Sequence, residues 1–354
     1  MKLSSLFEGK VYTFPQTQNQ DQDKTFASEV IKKIKPNWVV SDIMVGDIKD
    51  YYDIFIIRDD KKRTFKLKIS LDDSQGVLKK EHNGTRNSKS SVTPILIEYG
   101  VVKIGDEITY LLVEIPICES VEEHGRSSLM GNFDSFIDSY FIFQKTKGVR
   151  TTYKTSLNKF LKNVEPSSYL PEESIEALKS YTDYDLCRNF VSSLSEEIVC
   201  LSQGFSLPCK YKCHGGLSVD NIFTDGKRFY FDDFKDMFMG HPYIDFIDLI
   251  LDLGLPEDTQ YPLLSNFCQR GGIQENRNLF KSLYEIQLRK KLLILITEYI
   301  KEVYVYDSYR YNNIINISSV FSHCYERFCK IKMFYENRDF IMKTICEPIF
   351  GVKA

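Results

Sequence analysis

The stretch "CHGGLSVDNIFTDGKRFYFDDFKDMFMGHPYIDF", Cys213–Phe246, decides how the rest of the chain is read. Two short apolar-rich runs, "NIF" and "RFYF", flank Thr224-Asp225-Gly226-Lys227, which is turn chemistry, so this part reads as short strands joined by a tight turn. Asn221 opens the first run, and the Asp232-Asp233 pair closes the second. An amide oxygen and a carboxylate oxygen from two adjacent strands suit a hard divalent cation, and Mg²⁺ takes few ligands from protein when phosphates complete its shell. Phosphoryl transfer needs such a metal, a cation on the phosphate oxygens and an acceptor hydroxyl held in line. The bland reading stands beside it: an Asn after an Asp is common turn chemistry, and two strand-end carboxylates can face water.

On the N-terminal side the hydrophobic pattern has two periods. "TQNQDQD", Thr17–Asp23, reads as a polar loop, and "DKTFASEVIKKIKP" carries Phe26, Val30, Ile31 and Ile34 at helical spacing up to Pro36. Five runs of period two follow, "NWVVSDIMVGD", "YYDIFIIRD", "RTFKLKIS", "TPILIEYGVVKIG" and "EITYLLVEIPI", with hairpin turns at Asp59-Asp60 and Gly105-Asp106. Between the third and fourth lies a short helical candidate, "DDSQGVLKKEHNG", and then a polar "GTRNSKSS" loop. Beyond Cys118 the spacing becomes helical, as in "LMGNFDSFIDSYFIF", "YDLCRNFVSSLSEEIVCLSQGF" and "NLFKSLYEIQLRKKLLILITEYIKEVYVY". The class is α+β: an antiparallel sheet lobe with one inserted helix over residues 1–117, and a larger helical lobe over 118–354. A ligand is expected in the cleft between them.

Composition narrows the partners. A formal net charge of −3 over 354 residues gives no field that favours nucleic acid or an anionic membrane. No run reaches the roughly 18 apolar residues of a membrane span, and "MKLSSLFEGKVYTF" lacks a signal-peptide core. Nine cysteines at irregular spacing do not form a disulfide framework, so they are expected to be reduced and the protein cytoplasmic.

"HGGLSVDNIF" followed by "YFDDFKDMFMGHPYIDF" resembles the core of the aminoglycoside phosphotransferase and choline kinase family, which has a protein-kinase-like fold. That family carries a catalytic loop of the form H-G-D-x-x-x-x-N, a metal-binding Asp, and a G-D-P-x-x-D turn whose Gly lies seven residues after that Asp. His214, Gly215 and Asn221 fall on the loop, Asp233 on the metal position, and Gly240 through Asp245 on the turn. The resemblance implies ATP or GTP with Mg²⁺ held by Asn221 and Asp233, and a small hydroxyl-bearing acceptor. It implies a phosphate-binding lysine on the third strand, Lys68 with Lys66 as rival, paired to Glu81 on the inserted helix. "SDIMVGDIKD" with Gly46 would cover the phosphates, and the connector at Glu114 and Ile115 would carry the base. His214 and Asp245 are expected to brace the loop.

The loop departs from the pattern at one place: Gly216 stands where the family has its catalytic Asp. Another carboxylate could substitute, Asp220 or Asp232 being close in sequence. Alternatively the protein is an inert nucleotide-binding pseudokinase serving a protein partner, or the chemistry is nucleotidyl transfer. For the acceptor, "HPYIDFIDLILDLGLPED" is acidic and suits a cation, yet Asp248 and Asp252, four apart, also read as one polar stripe of an amphipathic helix. The aromatic run Tyr304–Asn313 could line a sugar or choline-like pocket, or simply pack.

Overall fold

The computed structural model of the chain describes residues 20–48, 52–74, 76–116, 119–120, 126–146, 148–165, 168, 182–204, 207, 209–304 and 327–331. The first element is the helix α1 (Gln20–Ile34), which begins inside the stretch expected to be a polar loop. Strands β1 (Val40–Ile48), β2 (Asp53–Asp59) and β3 (Thr64–Ser70) follow, then the inserted helix α2 (Val77–Asn87), β4 (Ile95–Ile104) and β5 (Asp106–Ile115). All neighbouring strands of this sheet are antiparallel, in the order β1-β2-β3-β5-β4. The inserted helix continues through Gly84–Asn87, residues read from sequence as the start of a loop.

The central strand β3 is buried along its whole length, and its period of two sorts its side chains onto two faces. Phe65, Leu67 and Ile69 share one core with Ala27, Val30 and Ile31 of α1 and with Phe55, Ile57, Ile108 and Leu112. Lys66 and Lys68 therefore point to the opposite face, the side on which Val77 and Leu78 of α2 pack with Leu111 and Val113. A strand buried on both sides with two lysines on one of them must supply those lysines with counter-charges.

After β5 come a two-residue strand β6 (Glu119–Ser120) and helices α3 (Arg126–Gly131), α4 (Phe133–Gln144), α5 (Tyr153–Asn163) and α6 (Thr182–Gln203). Strand β7 (Tyr211–Cys213) leads into a 3-10 turn (Val219–Asn221), the hairpin β8 (Ile222–Thr224) and β9 (Phe229–Phe231), a second 3-10 turn (Phe234–Asp236) and β10 (Phe238–Gly240). The chain then turns helical in α7 (Tyr243–Asp252), α8 (Glu257–Gly271) and α9 (Arg277–Tyr304). Helices α5 and α8 do not stand out in the sequence: Pro262 inside α8 reads as a breaker, and α5 buries only Tyr153 and Leu157. A second core joins α4 (Phe133, Phe136, Tyr140, Phe143) to β9, α7 and α9 through edge-on and tilted aromatic rings. The aromatic run from Tyr304 to Asn313 falls, beyond Tyr304, outside the described residues. No helix among the described residues is long and apolar enough to cross a membrane.

One core group lacks a counter-charge. Lys212 of β7 is 1% exposed, its Nζ sits 4.0 Å from the Phe143 ring centroid, and it has no hydrogen-bond partner among the described residues. Burial pulls its pKa down to about 7, whereas an unfolded lysine keeps its proton up to about pH 10.4. Between these values the unfolded chain binds more protons, so stability must rise with pH. Urea unfolding should show the parent gaining stability from pH 7 to pH 9, Lys212→Met lacking that increment, and the variant being about 1–3 kcal/mol more stable at pH 7. Equal pH slopes, with Lys212→Met less stable, would contradict the assignment of an uncompensated amine.

Candidate active site

The two lysines of β3 find their counter-charges on α2 and at the end of the β8–β9 hairpin. Lys68, 2% exposed, pairs through Nζ with Oε1 of Glu81, itself 1% exposed on α2. Asp232 Oδ2 lies 4.0 Å from Lys68 Nζ and 2.5 Å from Lys66 Nζ. Burial works against the charged Glu81 carboxyl and pushes its pKa up to about 7, with Lys68 opposing. Burial also opposes ionised Asp232, but Lys66 and then Lys68 outweigh it and hold this carboxyl well below the ordinary range. Tyr52 closes the cluster, with Lys68 Nζ 5.2 Å from its ring centroid, and burial lifts its hydroxyl to about 12. Lys66 is thus committed to Asp232, and Lys68 is the lysine placed on the inserted helix's glutamate.

The approach of α2 to this cluster depends on one glycine. A Cβ on Gly84 would stand 2.1 Å from the carbonyl oxygen of Phe234, so the helix touches the 3-10 turn after Asp233 backbone to backbone. Gly84 lies one turn after Glu81, hence the contact that seats the helix also sets the depth of the Lys68–Glu81 pair. The usual advantage of Ala over Gly inside a helix, about 1 kcal/mol, is overridden here by contact.

Asn221 and Asp233 flank the open end of the hairpin. The Asp232 amide donates to the Asn221 carbonyl at 3.1 Å, one step beyond the last strand pair, Ile222 with Phe231. Asn221 Nδ2 donates to the Gly216 carbonyl at 3.0 Å, which engages the nitrogen of its amide and not the oxygen. Asp233 takes a left-handed backbone conformation, φ 63°, which Asp tolerates better than most residues. Its Oδ2 accepts from Lys235 Nζ at 2.8 Å, while Oδ1 is buried and has no hydrogen-bond partner among the described residues. Burial opposes its charge, yet Lys235 and Lys68 hold the carboxyl below its ordinary value. A buried, ionised, half-satisfied carboxylate oxygen beside an amide is a donor set that fits a hard divalent cation.

The loop from His214 to Asn221 is pinned from beneath by buried carboxylates. Asp245, fully buried at the start of α7, accepts from the His214 amide at 2.6 Å, the Gly215 amide at 3.0 Å and the Tyr140 hydroxyl at 2.8 Å. Asp252, at the other end of α7, accepts from the Val219 amide at 3.0 Å and pairs with Lys291 at 3.1 Å. The reading of Asp248 and Asp252 as one polar stripe of an amphipathic helix is thereby corrected at Asp252, which turns to the loop. Asp252 is 4% exposed, and burial raises the Asp248 carboxyl to about 6. His214 packs against Phe143 and Phe234 and donates from Nε2 to the Asp232 carbonyl at 2.6 Å, tying the loop to the segment after β9. Gly215, with φ 90°, could not carry a Cβ, which would meet the Asp236 carbonyl at 2.2 Å.

Gly216 differs from these glycines. It is exposed, and a Cβ there would meet nothing within 4 Å. Of the two nearby carboxylates named as substitutes, Asp232 is excluded as a base by its buried bond to Lys66, whereas Asp220 is exposed on the same loop. Gly46 lies in β1, where the expected phosphate-covering loop is strand up to Ile48. The pairing with β2 shifts register between Val45 and Ile48, and residues 49–51 fall outside the described residues. Glu114 and Ile115 end β5, half-buried at the start of the connector.

This arrangement, a five-stranded antiparallel sheet with one inserted helix joined to a helical lobe that carries the loop and hairpin, is the protein-kinase-like two-lobe fold of small-molecule kinases. Among solved structures, the chain resembles a thermostable aminoglycoside phosphotransferase, APH(4)-Ia, in a ternary complex with AMP-PNP and hygromycin B, with TM-score 0.55, 13% identity, and 84% of this chain and 96% of that one covered. It resembles a choline/ethanolamine kinase family protein from Mesorhizobium loti with TM-score 0.56, 14% identity and coverages of 88% and 97%. It also resembles the amicoumacin kinase hAmiN bound to AMP-PNP, Ca²⁺ and Ami, with TM-score 0.54, 13% identity and coverages of 77% and 85%. No protein-family sequence model and no curated protein sequence matches the chain.

The packing makes a signed prediction for Gly84→Ala. Thermal unfolding should show a loss of about 1–3 kcal/mol, the reverse of the usual helix substitution. The retreat of α2 should draw Glu81 off Lys68 and lower the buried pair's contribution to that stability. A variant as stable as the parent, or more stable, would contradict the close approach.

Proposed function

We propose that the protein is a small-molecule phosphotransferase that moves the γ-phosphate of ATP or GTP to a hydroxyl acceptor, with an atypical catalytic loop. The observation that carries this reading is the joint presence of the buried Lys68–Glu81 pair and the half-satisfied Asp233 carboxylate beside Asn221. A sheet stabilised for its own sake would have no use for a buried lysine whose charge demands two carboxylates, since apolar residues of the same size would serve better.

In this reading residues 1–117 hold the nucleotide, and residues 118–354 carry the loop, the metal ligands and the acceptor. Lys68, oriented by Glu81, donates to phosphate oxygens. Asn221 through Oδ1 and Asp233 through its unpartnered oxygen hold a divalent ion, Mg²⁺, whose charge offsets that of the phosphates. His214 and Asp245 act as positioning residues that fix the loop, and the ends of β5 at Glu114 and Ile115 face the nucleoside. Asp220, the exposed carboxylate of the loop, receives the acceptor's proton in place of a residue at 216. The similar structures in complex with hygromycin B or Ami support a small hydroxyl-bearing acceptor.

A second reading is favoured by Gly216 itself. With no side chain at that position the protein would bind nucleotide without transferring phosphate, and would act through a protein partner. One pair of measurements separates the readings. Thermal-shift titration with Mg²⁺ and nucleotide should stabilise the parent and not Asp233→Ala, and an absent shift in the parent would remove both. Turnover with a panel of hydroxyl acceptors should be detectable in the parent and rise by about 10²–10⁴ in Gly216→Asp, because the added side chain enters open space. Nucleotide binding with no turnover in either protein would leave the inert reading.

A further inference from the structure

The chain sets a lysine on Asp233 two residues after it. Asp233 is left-handed, with φ 63° and ψ 59°, and the 3-10 turn Phe234–Asp236 begins at once. Phe234 is 1% exposed, its ring stacks on that of Phe143 at 5.5 Å between centroids, and its carbonyl lies against Gly84 of α2. With Phe234 held in the core, the reversal brings Lys235 back onto Asp233, and Lys235 Nζ donates to Asp233 Oδ2 at 2.8 Å. An ammonium carries three donors, and among the described residues this is the one hydrogen bond that Nζ makes. With 33% of the side chain exposed, the other two donors can reach a ligand. After burial, Lys68, Asp233 and Lys235 are the groups that act on the Tyr52 hydroxyl, so Lys235 belongs to the same cluster as Lys68.

Lys66, Lys68 and Lys235 face Glu81, Asp232 and Asp233, three ammonium groups against three carboxylates, so the protein's own formal charges cancel in this cluster. Without Lys235 one carboxylate would be in surplus. The oxygens are shared out as sparingly. Lys235 holds Oδ2 of Asp233, and Oδ1 is the carboxylate oxygen left without a partner among the described residues. We propose that Lys235 is a built-in counter-cation that limits the site to one divalent ion and donates to the nucleotide phosphates in place of a second. The inference rests on the phosphotransferase reading and deepens it.

The argument is one of charge and coordination. Protein kinases hold two Mg²⁺ ions with one Asp and one Asn, and a carboxylate that serves two ions gives each of them an oxygen. Here Asp233 has one oxygen to give. A second divalent ion on Oδ2 would have to displace the Lys235 ammonium or stand within a few ångströms of it, and like charges at that distance repel strongly in a partly buried site. The ammonium itself does part of what such an ion does. It is a compact point charge on a flexible stem, and its hydrogen bonds to phosphate oxygens are of the strong, charge-assisted kind. A lysine that merely tied Asp233 down would be felt in stability alone. It would leave the number of bound ions and the metal dependence of nucleotide affinity untouched.

The test counts ions. Equilibrium dialysis of Mn²⁺ against the full chain, with a non-hydrolysable ATP or GTP analogue and protein in excess over it, should give one bound Mn²⁺ per complex in the parent even when Mn²⁺ is abundant. Lys235→Met, checked for folding by thermal unfolding, should take up a second ion under those conditions. Supplied with a single Mn²⁺ per analogue, it should bind the analogue about tenfold more weakly than the parent, the loss of one hydrogen bond to a charged group. Lys235→Arg keeps the cation and should keep the parent's ion count. Two ions in the parent, or a Lys235→Met variant that holds one ion with unchanged analogue affinity, would overturn the counter-cation role alone. Failure of the parent to bind the analogue with any Mn²⁺ would instead remove the metal site on which the inference rests.

Discussion

The structure depends on the burial of the Lys68 ammonium. An ammonium at 2% exposure keeps its charge in this sheet because anions reach it, and they come from elements distant in sequence: Glu81 on the inserted helix and Asp232 on the hairpin of the helical lobe. Removing either partner would leave a buried charge uncompensated, a defect of several kcal/mol. The charge requirement therefore fixes three elements at once, and α2 meets it only because Gly84 lets its backbone touch the Phe234 carbonyl. Sheet, helix and hairpin close on one another around ions as well as around the apolar contacts of Val77 and Leu78.

The same logic extends into the loop. Asp245 and Asp252, at the two ends of α7, give their oxygens to the backbone amides of His214, Gly215 and Val219. The helix acts as a rigid bar beneath the loop, and its nearly complete burial keeps it there. His214 then joins the loop to the Asp232 carbonyl. Rigidity built this way places groups to within a fraction of an ångström, as positioning and electrostatic stabilisation of phosphoryl transfer demand. It also explains why a glycine can stand at 216 without loosening the loop: the supports lie on the buried side, and Gly216 faces solvent.

Much of this was legible in the sequence, and the rest failed for identifiable reasons. The five strands, their hairpins and the long C-terminal helices follow from hydrophobic period, because each has one face in a core. The pairing of Lys68 with Glu81 is what the family resemblance implies, and the nearness of Asn221 to the Asp232-Asp233 segment follows from their places on two adjacent short strands. What the sequence hides is the fate of charges. Asp232 looks like a spare catalytic carboxylate, and only the fold brings Lys66 onto it across 166 positions of chain. Asp252 looks like a solvent-facing stripe because helical periodicity carries no information about a loop amide waiting above it. Nothing in the sequence marks Lys212 as an amine that is buried without a hydrogen-bond partner among the described residues. Helix α8 is obscured by Pro262, which local rules treat as a terminator.

The account stands or falls on whether Asn221 and Asp233 close on one metal ion together with nucleotide phosphates. Electron paramagnetic resonance of Mn²⁺ with a non-hydrolysable nucleotide reads this directly. The account predicts an immobilised Mn²⁺ signal that requires both the protein and the nucleotide and disappears in Asn221→Ala and in Asp233→Ala. A signal unchanged by either substitution, or no ternary complex with the parent protein, would contradict it.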